Sequence, residues 1–238
     1  MKNKDIFTFR DAEKQAGPVA FSTMLKPAGS ACNLDCGYCY YLDKAAQYGG
    51  RQAVMADDLL ELYIRQYIEA NEVPVVTFCW HGGEPLLLGR DFYRRAVALQ
   101  RKYAAGKRIE NTLQTNGTLV DEAWCELFAE NGFLVGLSLD GPEDIHDAFR
   151  RTKGGRPTFA RVMRTVGMFR RTGVEYNTLS VVNRACEGRG AEIYRFFRDT
   201  VGSRYMQFLP AVEHVVDRAG LHRPLIVSPE TQGARPAE

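Results

Sequence analysis

The sequence has no excess of either charge, no long apolar run and no nucleotide fingerprint. Lys and Arg number 31 against 29 Asp and Glu, a formal net charge of +2. This balance lacks the excess of positive charge that is typical of nucleic-acid-binding proteins. No stretch of 18 apolar residues occurs, so we expect no membrane span. The first residues, MKNKDIFTFRDAEKQ, lack the apolar core of a secretion signal. The absence of GxGxxG argues against a pyridine-nucleotide dehydrogenase.

A disulfide framework is also not expected. The chain has six cysteines, and without a secretion signal such cysteines are typically free thiols, so we predict a reducing compartment, the cytoplasm. The four histidines show no metal-ligand spacing. Three of the cysteines, Cys79, Cys125 and Cys186, are scattered along the chain and are predicted to be buried structural thiols.

The other three cysteines, Cys32, Cys36 and Cys39, stand in the pattern C-x3-C-x2-C. Thiolates are soft ligands that suit iron, and this close spacing lets one loop wrap a cluster. Three ligands are one short of the four that a cuboidal cluster needs, which leaves one iron open for a small molecule. A zinc knot with a fourth ligand from elsewhere is the alternative, although no H-x3-5-H spacing accompanies it. The pattern therefore favours one 4Fe-4S cluster with an open iron.

Six β-rich apolar runs alternate with amphipathic helical stretches, a pattern typical of parallel strands joined by helices. The runs are Phe21–Lys26, Val75–Trp80, Ile109–Thr115, Phe133–Leu139, Tyr176–Val182 and Tyr205–Leu209. A distinctive polar motif follows each run, at the end of the sheet where α/β barrels place their active sites. An open doubly wound sheet would instead concentrate its site at one switch point. We therefore predict an α/β fold, a partial (β/α)6 barrel with parallel strands.

Three segments are expected along the chain. Residues 1–20 form an N-terminal extension, and residues 21–210 form the core domain. Residues 211–238 contain several Gly and Pro and are predicted to be a loop-rich tail that begins a further C-terminal region.

The cysteine pattern, with the aromatic Tyr38 before its last cysteine, resembles the signature of the radical S-adenosylmethionine (radical SAM) superfamily. The similarity extends to the GGEP sequence at 82–85, which follows the second strand. Longer stretches, among them LKPAGSACNLDCGYCYY, HGGEPLLLG and SLDGPEDIHDAFR, are similar to the anaerobic sulfatase-maturating enzymes. This closer resemblance runs from about Phe21 to Pro210.

The resemblance implies a 4Fe-4S cluster on the three cysteines and S-adenosylmethionine on the open iron. In that family the GGEP turn holds the methionine amino group, and a carboxylate such as that of Glu84 suits an ammonium. Ser138 and Arg150 would hold the ribose and the methionine carboxylate, for which a guanidinium is a natural clamp. The full set of cofactor-binding residues implied in this way is Tyr38, Gly82, Gly83, Glu84, Gln114, Ser138, Arg150 and Leu209.

The resemblance further implies the oxidation of a sulfatase cysteine or serine to formylglycine. The expected partners are a sulfatase-like protein or peptide and a low-potential electron donor such as flavodoxin or ferredoxin. Two alternatives stay open: modification of a ribosomally made peptide, and a truncated cluster-binding module without full turnover.

The chain departs from the group at its C-terminal side. The sulfatase-maturating enzymes continue into a cysteine-rich region that carries auxiliary clusters and the catalytic acid–base residue, whereas this sequence stops at Glu238. The acid–base residue is therefore expected in the missing region. Asp140, which follows the fourth strand, is the one candidate inside the chain, with a role in the turn as its alternative.

Overall fold

The computed structural model describes residues 10, 17–18, 20–41 and 54–211, together with the backbone of 213–216 and 222–225. Most of the predicted extension at 1–20 and of the predicted tail at 211–238 lies outside the described residues, so these two boundaries stay predictions. Within the tail, β7 (Glu213–Val216) and β8 (His222–Leu225) pair as short antiparallel strands.

The core is one six-stranded parallel sheet whose strands follow each other in chain order. Its strands are β1 (Met24–Leu25), β2 (Val75–Trp80), β3 (Arg108–Thr115), β4 (Phe133–Ser138), β5 (Tyr176–Val182) and β6 (Met206–Pro210). Among the described strands, β1 and β6 do not pair with each other, so the barrel is open on that side. The predicted parallel α/β architecture is confirmed.

Helices follow the strands as crossover connections. They are α1 (Asp57–Ala70), α2 (Gly89–Tyr103), α3 (Glu122–Glu130), α4 (Glu143–Phe149), α5 (Phe159–Thr172) and α6 (Gly190–Arg195), and α6 continues as a wider helical turn at Phe196–Val201. In α1, Leu60, Ile64, Tyr67 and Ile68 recur at helical spacing and are all buried. This apolar stripe is what packs such a helix against a sheet. No described helix has the length and apolar character needed to cross a membrane.

The two faces of the sheet differ in character. In β2, Val76, Phe78 and Trp80 are buried, while the alternate residues Thr77 and Cys79 are only half-buried. Successive strand side chains point to opposite faces, so the buried row packs under the helices and the other row faces the inside of the partial barrel. The inner row extends across the neighbouring strands. Gln114 on β3 lies opposite Gly136 on β4, and Ser138 on β4 lies opposite Leu179 on β5.

Strand β1 is much shorter than the apolar run that predicts it. Its first predicted residue, Phe21, donates its backbone N–H to Asn71 Oδ1 at 3.1 Å, and its carbonyl accepts from the Tyr67 hydroxyl. These bonds tie Phe21 to α1 instead of to β2. Only Met24 and Leu25 are left to pair, with Cys79 and Trp80.

Candidate functional site

The cysteine loop, residues 26–39, follows β1 directly and is fastened on one side to the GGEP turn that follows β2. Gly83 N–H donates to Gly29 O at 3.0 Å, and Glu84 N–H donates to Ala31 O at 2.8 Å. A Cβ on Gly83 would lie 2.1 Å from Ala31 O, a distance that no side chain tolerates. Glycine at position 83 is therefore required for the loop and the turn to approach each other.

On its other side the cysteine loop is fastened to the segment that follows α4. Gly37 N–H donates to Phe149 O at 3.0 Å, and Asp35 N–H donates to Arg151 O at 2.8 Å. An antiparallel bridge between Leu34 and Thr152 adds to this contact. Backbone bonds on both sides thus fix the path of the loop that carries all three cysteines of the motif.

The three thiols of this loop have the chemistry of cluster ligands. Burial raises the pKa of Cys36 to about 12 and also raises the pKa of Cys32, with further increases from the neighbouring cysteines. Iron binding displaces such protons, because only the thiolate is a ligand. Cys32 Sγ also accepts from Leu34 N–H at 3.4 Å and Asn116 Nδ2 at 3.8 Å, and hydrogen bonds to sulfur are among the factors that set cluster potentials.

Among the described residues, no three His, Cys, Asp or Glu side chains are arranged to hold a single metal ion. The donor set, three soft ligands on one clamped loop, fits a 4Fe-4S cluster with one open iron.

Glu84 is fully buried and receives three hydrogen bonds. Its Oε1 accepts from Leu86 N–H at 3.0 Å and Thr115 Oγ1 at 2.8 Å, and its Oε2 accepts from Asn116 N–H at 2.8 Å. Burial raises the pKa of Glu84 to about 7, although these donors act in the opposite direction. A cation bound beside Glu84 would favour the carboxylate form. The residue thus connects the ends of β2 and β3.

Asp140, directly beyond β4, is the centre of a second buried network. Its carboxylate accepts from Arg150 Nε and Nη2, both at 3.0 Å, from Val181 N–H at 2.9 Å, and from the Tyr38 hydroxyl. Burial raises the pKa of Tyr38 well above its usual value, which keeps the phenol protonated as a donor. Because both oxygens of Asp140 are occupied in this way, the residue is placed to hold Arg150 and Tyr38 rather than to take a proton from a substrate.

Gln114 and Ser138 meet on the inner face of the sheet, where Gln114 Nε2 donates to Ser138 Oγ at 2.9 Å. A Cβ on Gly136 would lie 2.0 Å from Gln114 Oε1, so the glycine makes room for this amide between the two strands. Leu209 on β6 is 44% exposed and lies opposite Val181 in the register. The structure therefore gathers the predicted residues around the carboxyl ends of the strands.

Sequence reasoning missed two contributors to this arrangement. The first is the Asp140–Arg150–Tyr38 network, since the motif SLDGPEDIHDAFR does not show that residues ten positions apart are paired. The second is Asn33, which donates to Thr118 Oγ1 and accepts from Asn116, both at 2.9 Å, and so ties the cysteine loop to the turn after β3. One signal was available in the sequence: Gly136 is a glycine within a β-rich run, which indicates that another group approaches the strand backbone closely.

A parallel α/β half-barrel with a clamped three-cysteine loop beyond its first strand is the arrangement of one class of enzymes. The model of the radical SAM superfamily matches residues 27–184, and the chain belongs to that superfamily. The predicted cofactors, a 4Fe-4S cluster and S-adenosylmethionine, are confirmed as those of the family.

Within the superfamily, the chain is similar to anaerobic sulfatase-maturating enzymes. It is 46% identical over 194 residues to the serine-type enzyme of Bacteroides thetaiotaomicron, and this alignment covers 81% of this chain and 47% of that protein. It is 37% identical over 201 residues to the cysteine-type enzyme of Clostridium perfringens, 84% of this chain and 54% of that protein. The solved structure "Native anSMEcpe with bound AdoMet and Kp18Cys peptide" matches with a TM-score of 0.76 at 35% identity, covering 83% of this chain and 53% of that one. The chain thus spans about half the length of these relatives.

Proposed function

We propose that this chain is the cofactor-cleaving core of an enzyme that oxidises a cysteine or serine of a sulfatase to formylglycine. The observation that carries the proposal is the loop of Cys32, Cys36 and Cys39, clamped between the GGEP turn and the segment after α4. The similarity to serine-type and cysteine-type sulfatase-maturating enzymes supports the substrate class, as does the cysteine peptide named with a structural relative.

The chain's own residues have defined tasks in this proposal. Cys32, Cys36 and Cys39 hold the cluster, and Glu84 with the backbone of Gly82 and Gly83 accepts the methionine ammonium. When bound, the two cofactors supply one-electron cleavage of the sulfonium to methionine and a 5′-deoxyadenosyl radical.

The remaining cofactor residues would hold the other end of the molecule. Ser138 orients a ribose hydroxyl, and Arg150, held in place by Asp140, attracts the methionine carboxylate. The backbone of Tyr38 and the side chains of Gln114 and Leu209 complete the walls, which keep water from the reacting carbon.

The proposal includes a reducing environment and an external electron donor. All six cysteines are free thiols, which supports the predicted reducing compartment, the cytoplasm. A low-potential carrier such as flavodoxin or ferredoxin would deliver the electron that starts each cleavage. The residue that takes the proton of the substrate thiol or hydroxyl is not assigned within the chain, because Asp140 is already bonded to Arg150, Tyr38 and Val181.

Deuterium transfer tests the substrate without requiring complete turnover. The anaerobically reconstituted chain is incubated with S-adenosylmethionine, dithionite and a sulfatase peptide deuterated at the β-carbon of its target cysteine or serine. We expect deuterium in the 5′-deoxyadenosine, because the radical removes a hydrogen from that carbon, and none with a scrambled peptide of the same composition. Unlabelled 5′-deoxyadenosine from the target peptides would contradict the sulfatase assignment and favour another peptide as the substrate.

A further inference from the structure

A surface rich in positive charge adjoins the cysteine loop. The segment after α4 turns back on itself and then enters α5. In this turn Thr152 N–H donates to Arg156 O at 3.0 Å, and Arg151 and Pro157 form an antiparallel β-bridge. The exposed cations of this turn and of the first half of α5, here called the basic surface, are Arg151, Lys153, Arg156, Arg161 and Arg164.

Among the described residues, the cations of the basic surface have no acidic partner in a salt bridge. Within the part of the chain that the structure describes, none of the five forms a salt bridge, although eight other Arg and Lys residues do so at the surface. The nearby carboxylates are Asp35, which is exposed in the cysteine loop, and Asp147, whose Oδ1 accepts from Thr158 and Phe159 N–H at 2.8 and 2.9 Å. A net positive patch is left, although the whole chain is nearly neutral.

The basic surface lies where the cysteine loop itself reaches solvent. Asp35 and Gly37 are exposed, and they flank Cys36, which is buried. The two exposed residues are hydrogen-bonded to Arg151 O and Phe149 O, at the base of the basic turn. A protein that covers Gly37 would therefore be one residue from a cluster ligand and in contact with the basic turn at the same time.

We propose that the basic surface is the docking site for an acidic one-electron carrier protein, an inference that rests on the proposed function because that function needs an external electron. Charge of opposite sign steers such a partner to the loop and speeds encounter. The reduced flavin of a flavodoxin gives up one electron and the oxidised cluster accepts it, so that each changes by one electron and no bond forms or breaks.

Charge reversal tests this surface with an acidic bacterial flavodoxin as the probe. The double variant Lys153→Glu with Arg156→Glu is compared with Arg94→Glu with Arg101→Glu, a matched pair of exposed residues on α2. The first readout is the Kd for flavodoxin, measured by titration calorimetry with the reconstituted chain. The second is 5′-deoxyadenosine formed with dithionite, a small reductant that needs no docking.

We expect the basic-surface variant to raise the Kd about tenfold at low salt, and the α2 variant to change it less than twofold. The difference should shrink between about 0.05 and about 0.3 M salt as screening increases. Dithionite-driven cleavage should be equal in both variants.

Two results would overturn the docking site: equal Kd values for the two variants, or a fall in dithionite-driven 5′-deoxyadenosine in the basic-surface variant as large as its loss of affinity for flavodoxin. If the parent chain makes no 5′-deoxyadenosine with dithionite, the proposed function fails, while the Kd comparison still decides the docking site.

Discussion

The Asp140 carboxylate and the Arg150 guanidinium form a two-point ion pair, with both N–O distances at 3.0 Å. The carboxylate side chain is 0% exposed and the guanidinium side chain 9%. Tyr38, from the cysteine loop, donates to the same carboxylate, and Arg150 Cζ lies 5.5 Å from the centre of its ring. The pair therefore connects the ends of β4 and α4 to the loop that carries the cluster ligands.

Removal of Asp140 should leave a buried guanidinium without a partner. We expect Asp140→Ala to lower the free energy of unfolding by about 3–5 kcal/mol, the usual cost of breaking a buried pair on one side. Urea denaturation of the cluster-free chain measures this change. The control is Asp91→Ala, whose ion pair with Arg94 is exposed and should be worth less than about 1 kcal/mol. Equal losses in the two variants would show that the buried pair does not stabilise the fold.

His146 should make the stability depend on pH. Burial, and next the charge of Arg150, lower the pKa of His146 to about 4, below its ordinary value of 6.5. Below pH 6.5 the unfolded chain gains a proton at this residue that the folded chain does not, so stability falls as the pH drops from about 6.5 towards 4. At pH 5 the loss should reach about 2 kcal/mol.

The matched variant for this test is His146→Gln, which keeps a polar partner for Thr158 Oγ1 but does not titrate. Urea denaturation of both proteins at pH 7 and pH 5 gives the comparison. We expect the parent chain to lose about 2 kcal/mol more than the variant. Parallel losses in both would contradict the assignment of a neutral, buried imidazole.

Gly83 should be required for assembly of the cluster. In Gly83→Ala the new methyl group would meet Ala31 O at 2.1 Å, which must push the cysteine loop away from the GGEP turn. We expect this variant to load less iron than the parent and to unfold at lower urea. Gly190→Ala, at a helical position with no atom within 4 Å of the new Cβ, should behave as the parent or be slightly more stable. Full iron loading in Gly83→Ala would show that the contact is not restrictive.

Iron loading separates the two groups of cysteines. Anaerobic reconstitution should give about four irons per chain, the content of one cuboidal cluster. Alanine at Cys32, Cys36 or Cys39 should abolish this content, because each removal leaves only two thiolates. Alanine at Cys79, Cys125 or Cys186 should leave it unchanged. Loss of iron in Cys186→Ala would overturn the ligand assignment.

The sequence predicted the parts of this fold that depend on local pattern. The bounds of β2 and β5 agree with the apolar runs at Val75–Trp80 and Tyr176–Val182. Each run is bordered by turn residues, and all of its residues belong to the strand. β1 is shorter because Phe21 bonds to Asn71, the residue that follows α1, and no local pattern contains such a long-range contact.

The candidate site divides in the same way. The three cysteines and the GGEP turn are each short contiguous motifs, so the sequence alone predicts them as site residues. The structure adds the backbone bonds between the two motifs. The pairing of Asp140 with Arg150 and Tyr38 depends on how α4 packs against β4 and the cysteine loop. Arg150 and Arg151 are adjacent arginines, and nothing in the local sequence predicts that Arg150 is buried while Arg151 remains exposed.

Cleavage of S-adenosylmethionine tests the central claim most directly. The chain is reconstituted anaerobically, reduced with dithionite and supplied with S-adenosylmethionine alone, and 5′-deoxyadenosine and methionine are quantified by mass spectrometry. We predict equal amounts of both products from the parent chain and none from Cys36→Ala. A parent chain that carries four irons and binds S-adenosylmethionine, yet forms no 5′-deoxyadenosine, would contradict the account.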